Sequence, residues 1–283
     1  MTERRGNEKS SQESAATPSE SGRARYSLRS RSKATPNGKD TPADSRVTRR
    51  KNSASSASAS RSPSSPARPK GVSKRAFPSF HEQKVGIIQS IIYREPFWLL
   101  VAVMLLNQTP GKSARPIFWK LKERYPDPDS LAAADQGDVE TMIHTLGLQT
   151  QRSRRMIKLA QSWATNPPQK GVLYRTKNYP QRGDGLNIEV RIEGDAVDCT
   201  GALEIGHLPG CGPYAWDSWR IFCRDILRGV ADDYNGLSAE QGFEPEWKRV
   251  LPQDKELRAC LGWMWLREGW LWDPETGKRR RAS

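Results

Sequence analysis

Leu208-Pro209-Gly210-Cys211-Gly212-Pro213-Tyr214-Ala215-Trp216-Asp217-Ser218-Trp219-Arg220-Ile221-Phe222-Cys223 is the stretch on which the fold turns. Glycines two apart allow a tight turn with positive φ and let the backbone approach a ligand closely. Pro213 suits the first position of a helix, where its missing N–H would have no partner anyway. A helix opening there aims unpaired amides and its positive dipole end at an anion. The residues that follow predict a helix over about Tyr214–Arg228. Such a hairpin can grip one DNA phosphate without reading sequence. A plain interhelical turn has the same composition, and the local residues leave both readings open.

Upstream, the chain reads as helices. Val85, Ile88, Ile91 and Ile92 recur at helical spacing up to Glu95-Pro96. The segment Phe97–Asn107 is apolar nearly all round, which marks the central core helix. Pro110 and Gly111 end it. Further helices are expected at about Lys112–Tyr125, Pro128–Ala134, Gly137–Leu146, Gln151–Asn166, Gly201–Gly206 and Gln253–Glu268. Residues 167–202 contain Pro, Gly and a β-like stretch, Ile188–Ile192, and read as an inserted loop or small hairpin. A second loop is expected at 229–245.

Charge separates this region from its flanks. Residues 1–75 carry 18 Lys and Arg against 6 Asp and Glu, and Lys278-Arg279-Arg280-Arg281 adds four more positive charges. Against a total of +14, residues 76–277 are left at −2. The high pI therefore belongs to the ends and does not by itself establish a DNA-binding fold. Residues 1–75, rich in Ser, Arg and Pro, have too few large apolar residues to offset the entropy of ordering and are read as a disordered basic tail. Its basic clusters suit nuclear import and phosphate contact as well as a solvated linker. Residues 274–283 read as a second basic tail. No apolar run approaches the ~18 residues of a membrane span, and no secretory signal opens the chain. Cys199, Cys211, Cys223 and Cys260 lack the paired short spacing of a zinc site and read as reduced thiols. No metal is expected, and the expected location is the nucleus.

Leu208–Cys223, with Asn107-Gln108-Thr109-Pro110-Gly111-Lys112 before it and Leu251-Pro252-Gln253-Asp254 after it, resembles the helix-hairpin-helix (HhH-GPD) superfamily of DNA glycosylases. More narrowly, it is similar to the glycosylase domain of the methyl-CpG-binding thymine/uracil mismatch glycosylases. The similarity is dispersed over about 77–272 and includes Pro96-Phe97-Trp98-Leu99-Leu100, Gly147-Leu148, Asp217-Ser218 and Arg220-Ile221-Phe222-Cys223. Nothing upstream resembles a methyl-CpG-binding domain. The resemblance implies an all-α HhH-GPD fold at 76–273, carrying the two loop insertions and flanked by the tails.

It also implies roles. Breaking an N-glycosidic bond builds positive charge at the sugar C1′, which calls for a carboxylate beside that carbon. The resemblance puts that role on Asp254, which read alone is an ordinary helix N-cap. Chemistry on a base requires flipping it out of the duplex. By resemblance Gln89 reads the flipped pyrimidine, Tyr214 packs against it, and Gln108 and Leu148 insert into the duplex. The hairpin residues Leu208, Gly210, Cys211 and Gly212 hold the phosphate. Relatives that also cut the strand use a lysine where Tyr214 stands, so lyase activity is not expected. Nor is an iron–sulfur cluster, since only Cys260 follows Asp254. Two positions depart from the close family: Gln108 replaces an arginine and Glu256 a lysine. Asp217 competes as a carboxylate and reads better as a hydrogen-bonding residue that pins the hairpin or its helix.

The expected function is excision of thymine or uracil from G·T or G·U pairs by water attack. The partners would be double-stranded DNA and downstream repair enzymes, and the protein a monomer with no membrane association. A non-catalytic DNA-binding protein of the same fold, or a glycosylase for adenine or alkylated bases, are the alternatives.

Overall fold

The segment that is apolar on every side sits where its composition demands. In the computed structural model it forms α2 (Pro96–Leu106), with every residue from Phe97 to Leu105 buried. It is flanked by α1 (Ile88–Ile92), α3 (Gly111–Arg124), α6 (Gln149–Thr165) and α7 (Pro213–Phe222). Leu99, Leu100 and Leu105 have no exposed surface. Each contributes about 2 kcal/mol by leaving water. The structure describes residues 71–73, 76, 78, 79, 82, 85–194 and 199–282. Residues 1–70 lie outside this set, and with them nearly all of the expected N-terminal tail.

The remaining helices follow their local signals. The short α4 (Pro128–Ala132) opens on a capping box in which Asp127 accepts from the Ser130 amide. Asp135 caps α5 (Gln136–Ile143) by accepting from the Asp138 amide, and a 3-10 turn at His144–Leu146 carries the chain to Gly147. Both α4 and α5 pack on α6. The helix expected through Arg228 breaks at Cys223, where α7 gives way to α8 (Arg224–Arg228). The last helix, α9 (Lys255–Arg267), starts at Asp254.

Two regions pair as strands. Within the insertion, β1 (Val172–Arg175) pairs antiparallel with β2 (Arg191–Glu193) and with β3 (Ala202–Leu203), placing Leu173 opposite Ile192 and Tyr174 opposite Leu203. The helix expected at 201–206 is therefore a strand and turns. So short a segment gains too little from helix propagation, and the free edge of β1 offers its backbone partners instead.

The basic 274–283 segment does not trail as a tail. It folds back so that β5 (Arg279–Arg281) pairs with β4 (Trp270–Trp272). The Arg279 guanidinium lies 4.3 Å from the Trp265 ring centroid, and that of Arg281 lies 4.1 Å from Trp270. Cation–π attraction holds these charges on the aromatic face. No described helix is long and apolar enough to cross a membrane.

Candidate active site

Asp254 combines two jobs in one carboxylate. Its Oδ1 accepts from the backbone amides of Glu256 at 2.9 Å and Leu257 at 3.0 Å, which caps α9 and fixes the side chain. Its Oδ2 has no hydrogen-bond partner among the described residues. The half-buried residue lines a cleft of about 830 Å³ together with Gln89, Gln108, Lys112, Arg115, Tyr214 and Glu256. Burial raises its pKa, the two capping amides work against that, and the Glu256 charge adds to the rise. A carboxylate made more basic in this way is better suited to take a proton.

Gln89 reaches this cleft from α1. It is 2 % exposed, and its Nε2 donates to Tyr214 Oη at 2.9 Å. Burial, then the Asp254 charge, raises the Tyr214 pKa, so the phenol keeps its proton at neutral pH. Gln89, Tyr214 and Asp254 come from three distant segments and line the same cleft. Glu256 turns toward the segment that precedes α1, accepting from Ser73 Oγ at 2.9 Å.

The hairpin lies on an adjoining cavity of about 300 Å³, bounded by Gln108, Leu148, Arg152, Gly210, Gly212 and Tyr214. Gly210 has φ +80°, and a Cβ there would sit 2.7 Å from Met104 Cε. The positive φ favours glycine here, while the Met104 methyl, at the end of a flexible side chain, could give way. No side chain caps α7, so its first amides face outward beside Gly212 and Pro213. Leu208 is buried in the core at 3 %, and the Cys211 amide donates back to the Leu208 carbonyl at 3.4 Å. Any ligand contact from these two goes through the remaining backbone atoms. Burial pushes the Cys211 thiol up to about 12, which removes it as a nucleophile at neutral pH.

Gln108 and Leu148 share an uncommon backbone. Both hold left-handed φ, 58° and 54°, and both line the same cavity. Leu148 is 59 % exposed at the start of α6. A bulky residue is costly in this conformation, and such strain concentrates where a side chain must be aimed.

Arg152 ties the two together. From α6 it donates to the carbonyls of Leu105 at 3.1 Å and Asn107 at 2.8 Å, and to Thr109 Oγ1 at 2.8 Å. It satisfies the orphan carbonyls at the end of α2 and braces the turn carrying Gln108. Sequence reasoning missed it, because an arginine on an amphipathic helix reads as a solvated residue. Arg115 was missed for the same reason, and Lys112 was named only within the Asn107–Lys112 segment. Among the described residues, no group of three or more His, Cys, Asp or Glu is placed to hold a metal ion.

Residues 101–258 match the family model of the HhH-GPD superfamily base excision DNA repair proteins. That span contains Gln108, Leu148, the hairpin, Tyr214 and Asp254; Gln89 lies before it. The chain is 35 % identical over 66 residues to a thymine-DNA glycosylase of Aeropyrum pernix, a match covering 23 % of this chain and 30 % of that protein. It spans less than a third of that relative's length. A solved structure of a thermostable thymine-DNA glycosylase is similar over 68 % of this chain and 78 % of the other, with 17 % identity and a TM-score of 0.34.

Proposed function

The chain belongs to the HhH-GPD superfamily of base excision DNA repair proteins, and from that premise we propose that it is a monofunctional DNA glycosylase excising thymine or uracil from G·T and G·U pairs. The observation that carries this reading is the meeting of Asp254, Tyr214 and Gln89 on one cleft. The flipped pyrimidine enters beside Tyr214. The Gln89 amide offers both a donor and an acceptor, the set that the O4 and N3–H edge of thymine or uracil requires. The N1–C1′ bond then breaks with its electron pair leaving on the base. Water adds to C1′, and its proton passes to the Asp254 carboxylate, which lines the cleft.

Tyr214 stands where a strand-cutting relative would carry an amine, and a phenol cannot form an imine with C1′. Gln108 and Leu148 support the opened duplex, while the uncapped start of α7 with Gly210 and Gly212 holds a phosphate. Residues 1–75 add sequence-independent phosphate contacts and direct the protein to the nucleus, where it acts as a monomer on double-stranded DNA.

The test is incubation of the protein with duplexes holding one G·T or one G·U pair, followed by alkali. A strand break at the mismatched pyrimidine only after alkali is the expected result. A break before alkali would overturn the monofunctional assignment. No alkali-labile site at either pair would overturn the substrate, and none at any damaged base would leave a DNA-binding protein without catalysis.

A further inference from the structure

The β4–β5 hairpin returns the end of the chain to the start of α9. Its turn, residues 273–278, is organised by Asp273. Oδ1 accepts from the Glu275 amide at 2.9 Å, Oδ2 from Thr276 Oγ1 at 2.6 Å, and the carbonyl from the Gly277 amide at 2.8 Å. Gly277 lies against Leu251, since a Cβ there would sit 3.0 Å from Leu251 Cδ2. Leu251 opens the stretch Leu251-Pro252-Gln253 that leads into Asp254. These residues belong to no helix or strand, so no backbone ladder fixes them.

Arg258 joins the turn to that stretch. It stands one turn into α9, and its amide donates to the Asp254 carbonyl at 2.9 Å. Its guanidinium points back along the chain. Nε donates to the Pro252 carbonyl at 2.7 Å, Nη2 to Gln253 Oε1 at 3.1 Å, and Nη1 to the Glu275 carboxylate. A rigid planar fork can serve three acceptors at once, which an ammonium on a flexible stem does less well. The Arg258 side chain is 19 % exposed and that of Glu275 70 %. An ion pair so exposed adds little stability by itself, and its use here is to aim the guanidinium. Each of the three residues before Asp254 is thus held, Leu251 by the turn and Pro252 and Gln253 by Arg258.

We propose that Arg258 is a positioning residue for Asp254, holding the peptide that leads into it, and that the β4–β5 hairpin sets Arg258 through Glu275 and the peptide through Leu251. This rests on the reading of Asp254 as the catalytic carboxylate. The cap bonds to Glu256 and Leu257 tie Asp254 to α9 from one side only. Arg258 supplies the hold from the other side. A catalytic group displaced by about 1 Å can lose about 100-fold in rate, so a partial loosening is enough to be measured.

Arg258→Met keeps the stem and removes the three side-chain bonds. Single-turnover excision at saturating protein should fall about tenfold. Duplex affinity should change by less than about twofold, because Arg258 does not line the cleft and its charge is already paired with Glu275. Arg258→Lys retains a donor and should return excision to within about threefold of wild type. Asp273→Ala loosens the turn without touching Arg258 and should cost about threefold. Hydrogen exchange at the Glu256 and Leu257 amides should quicken in Arg258→Met while exchange along α2 stays unchanged; a variant that is only less stable quickens both. Wild-type excision by Arg258→Met would overturn the proposal, as would a loss accompanied by faster exchange throughout α2, or a lysine variant no faster than the methionine one. A wild-type rate in Asp273→Ala would overturn the part given to the hairpin. Should the wild-type protein release no base from any duplex, the reading of Asp254 fails by itself. Exchange at Glu256 and Leu257 then decides the positioning role, and an unchanged rate in Arg258→Met rejects it.

Discussion

The side-chain amide of Gln89 donates to the phenol oxygen of Tyr214 at 2.9 Å, joining residues 125 positions apart at the floor of one cleft. This bond fixes the amide plane, leaving the Gln89 oxygen and one N–H for a ligand. Gln89→Ala should lower single-turnover excision by about 10- to 100-fold, the loss of one or two hydrogen bonds to the base in a water-poor site. Tyr214→Phe, which keeps the ring and frees the amide, should cost about tenfold or less. Equal rates for Gln89→Ala and wild type would remove Gln89 from base recognition.

Asp254 serves as both cap and candidate catalyst, and two substitutions separate these jobs. Asparagine caps a helix about as well as aspartate, so Asp254→Asn should leave thermal stability and duplex binding nearly unchanged while abolishing excision. Asp254→Ala should abolish excision and also lose about 1 kcal/mol of stability. Calorimetry with an excision assay on both variants checks this; excision at the wild-type rate by Asp254→Asn would place the chemistry elsewhere.

The Glu256 charge helps hold the Asp254 pKa above its usual value. A base works only when deprotonated, so activity is lost as pH falls through that pKa. Glu256→Gln removes one cause of the rise and should move the acid limb of the rate profile to lower pH. Burial, the larger cause, remains, so the limb should not return to that of a free carboxylate. A limb displaced to higher pH would contradict the assignment of Asp254 as the titrating group.

Arg152 is 8 % exposed and makes all three of its hydrogen bonds to the end of α2 and the turn beyond it. Arg152→Met keeps the stem and drops the bonds, leaving the helix-end carbonyls buried without partners. Stability should fall by about 2–4 kcal/mol, and Gln108 should lose its fixed aim. Chemical denaturation measures the first, and a disproportionate fall in excision relative to binding reports the second.

Removing residues 1–75 should flatten the salt dependence of duplex affinity, because each phosphate that the segment no longer neutralises takes about 0.9 off the slope. Affinity measured at several salt concentrations checks it. An unchanged slope would mean that this segment does not touch the phosphates.

The core helix, the approximate spans of α4 and α5, the hairpin and the cap at Asp254 were legible in the residues, because each depends on neighbours within about four positions. The insertion was harder. Its strands are two to four residues long, and Ala202 and Leu203 carry no periodicity that separates strand from helix. Their pairing depends on the edge of β1, 27 or more residues upstream in the chain. Arg279–Arg281 read as a solvated charge run because nothing local says that tryptophan faces await it.

What the sequence by itself determined is the set of local devices. It places a Pro-Gly hairpin opening a helix, an aspartate starting another, and an apolar segment that has to be central. Tertiary structure alone decided which side chains meet. Gln89 finds Tyr214, Arg152 finds the end of α2, and Asp217 finds Tyr179. The physical reason is reach. Caps and turns are satisfied within a few residues, whereas a buried amide, guanidinium or carboxylate can find its partners only after the chain has packed.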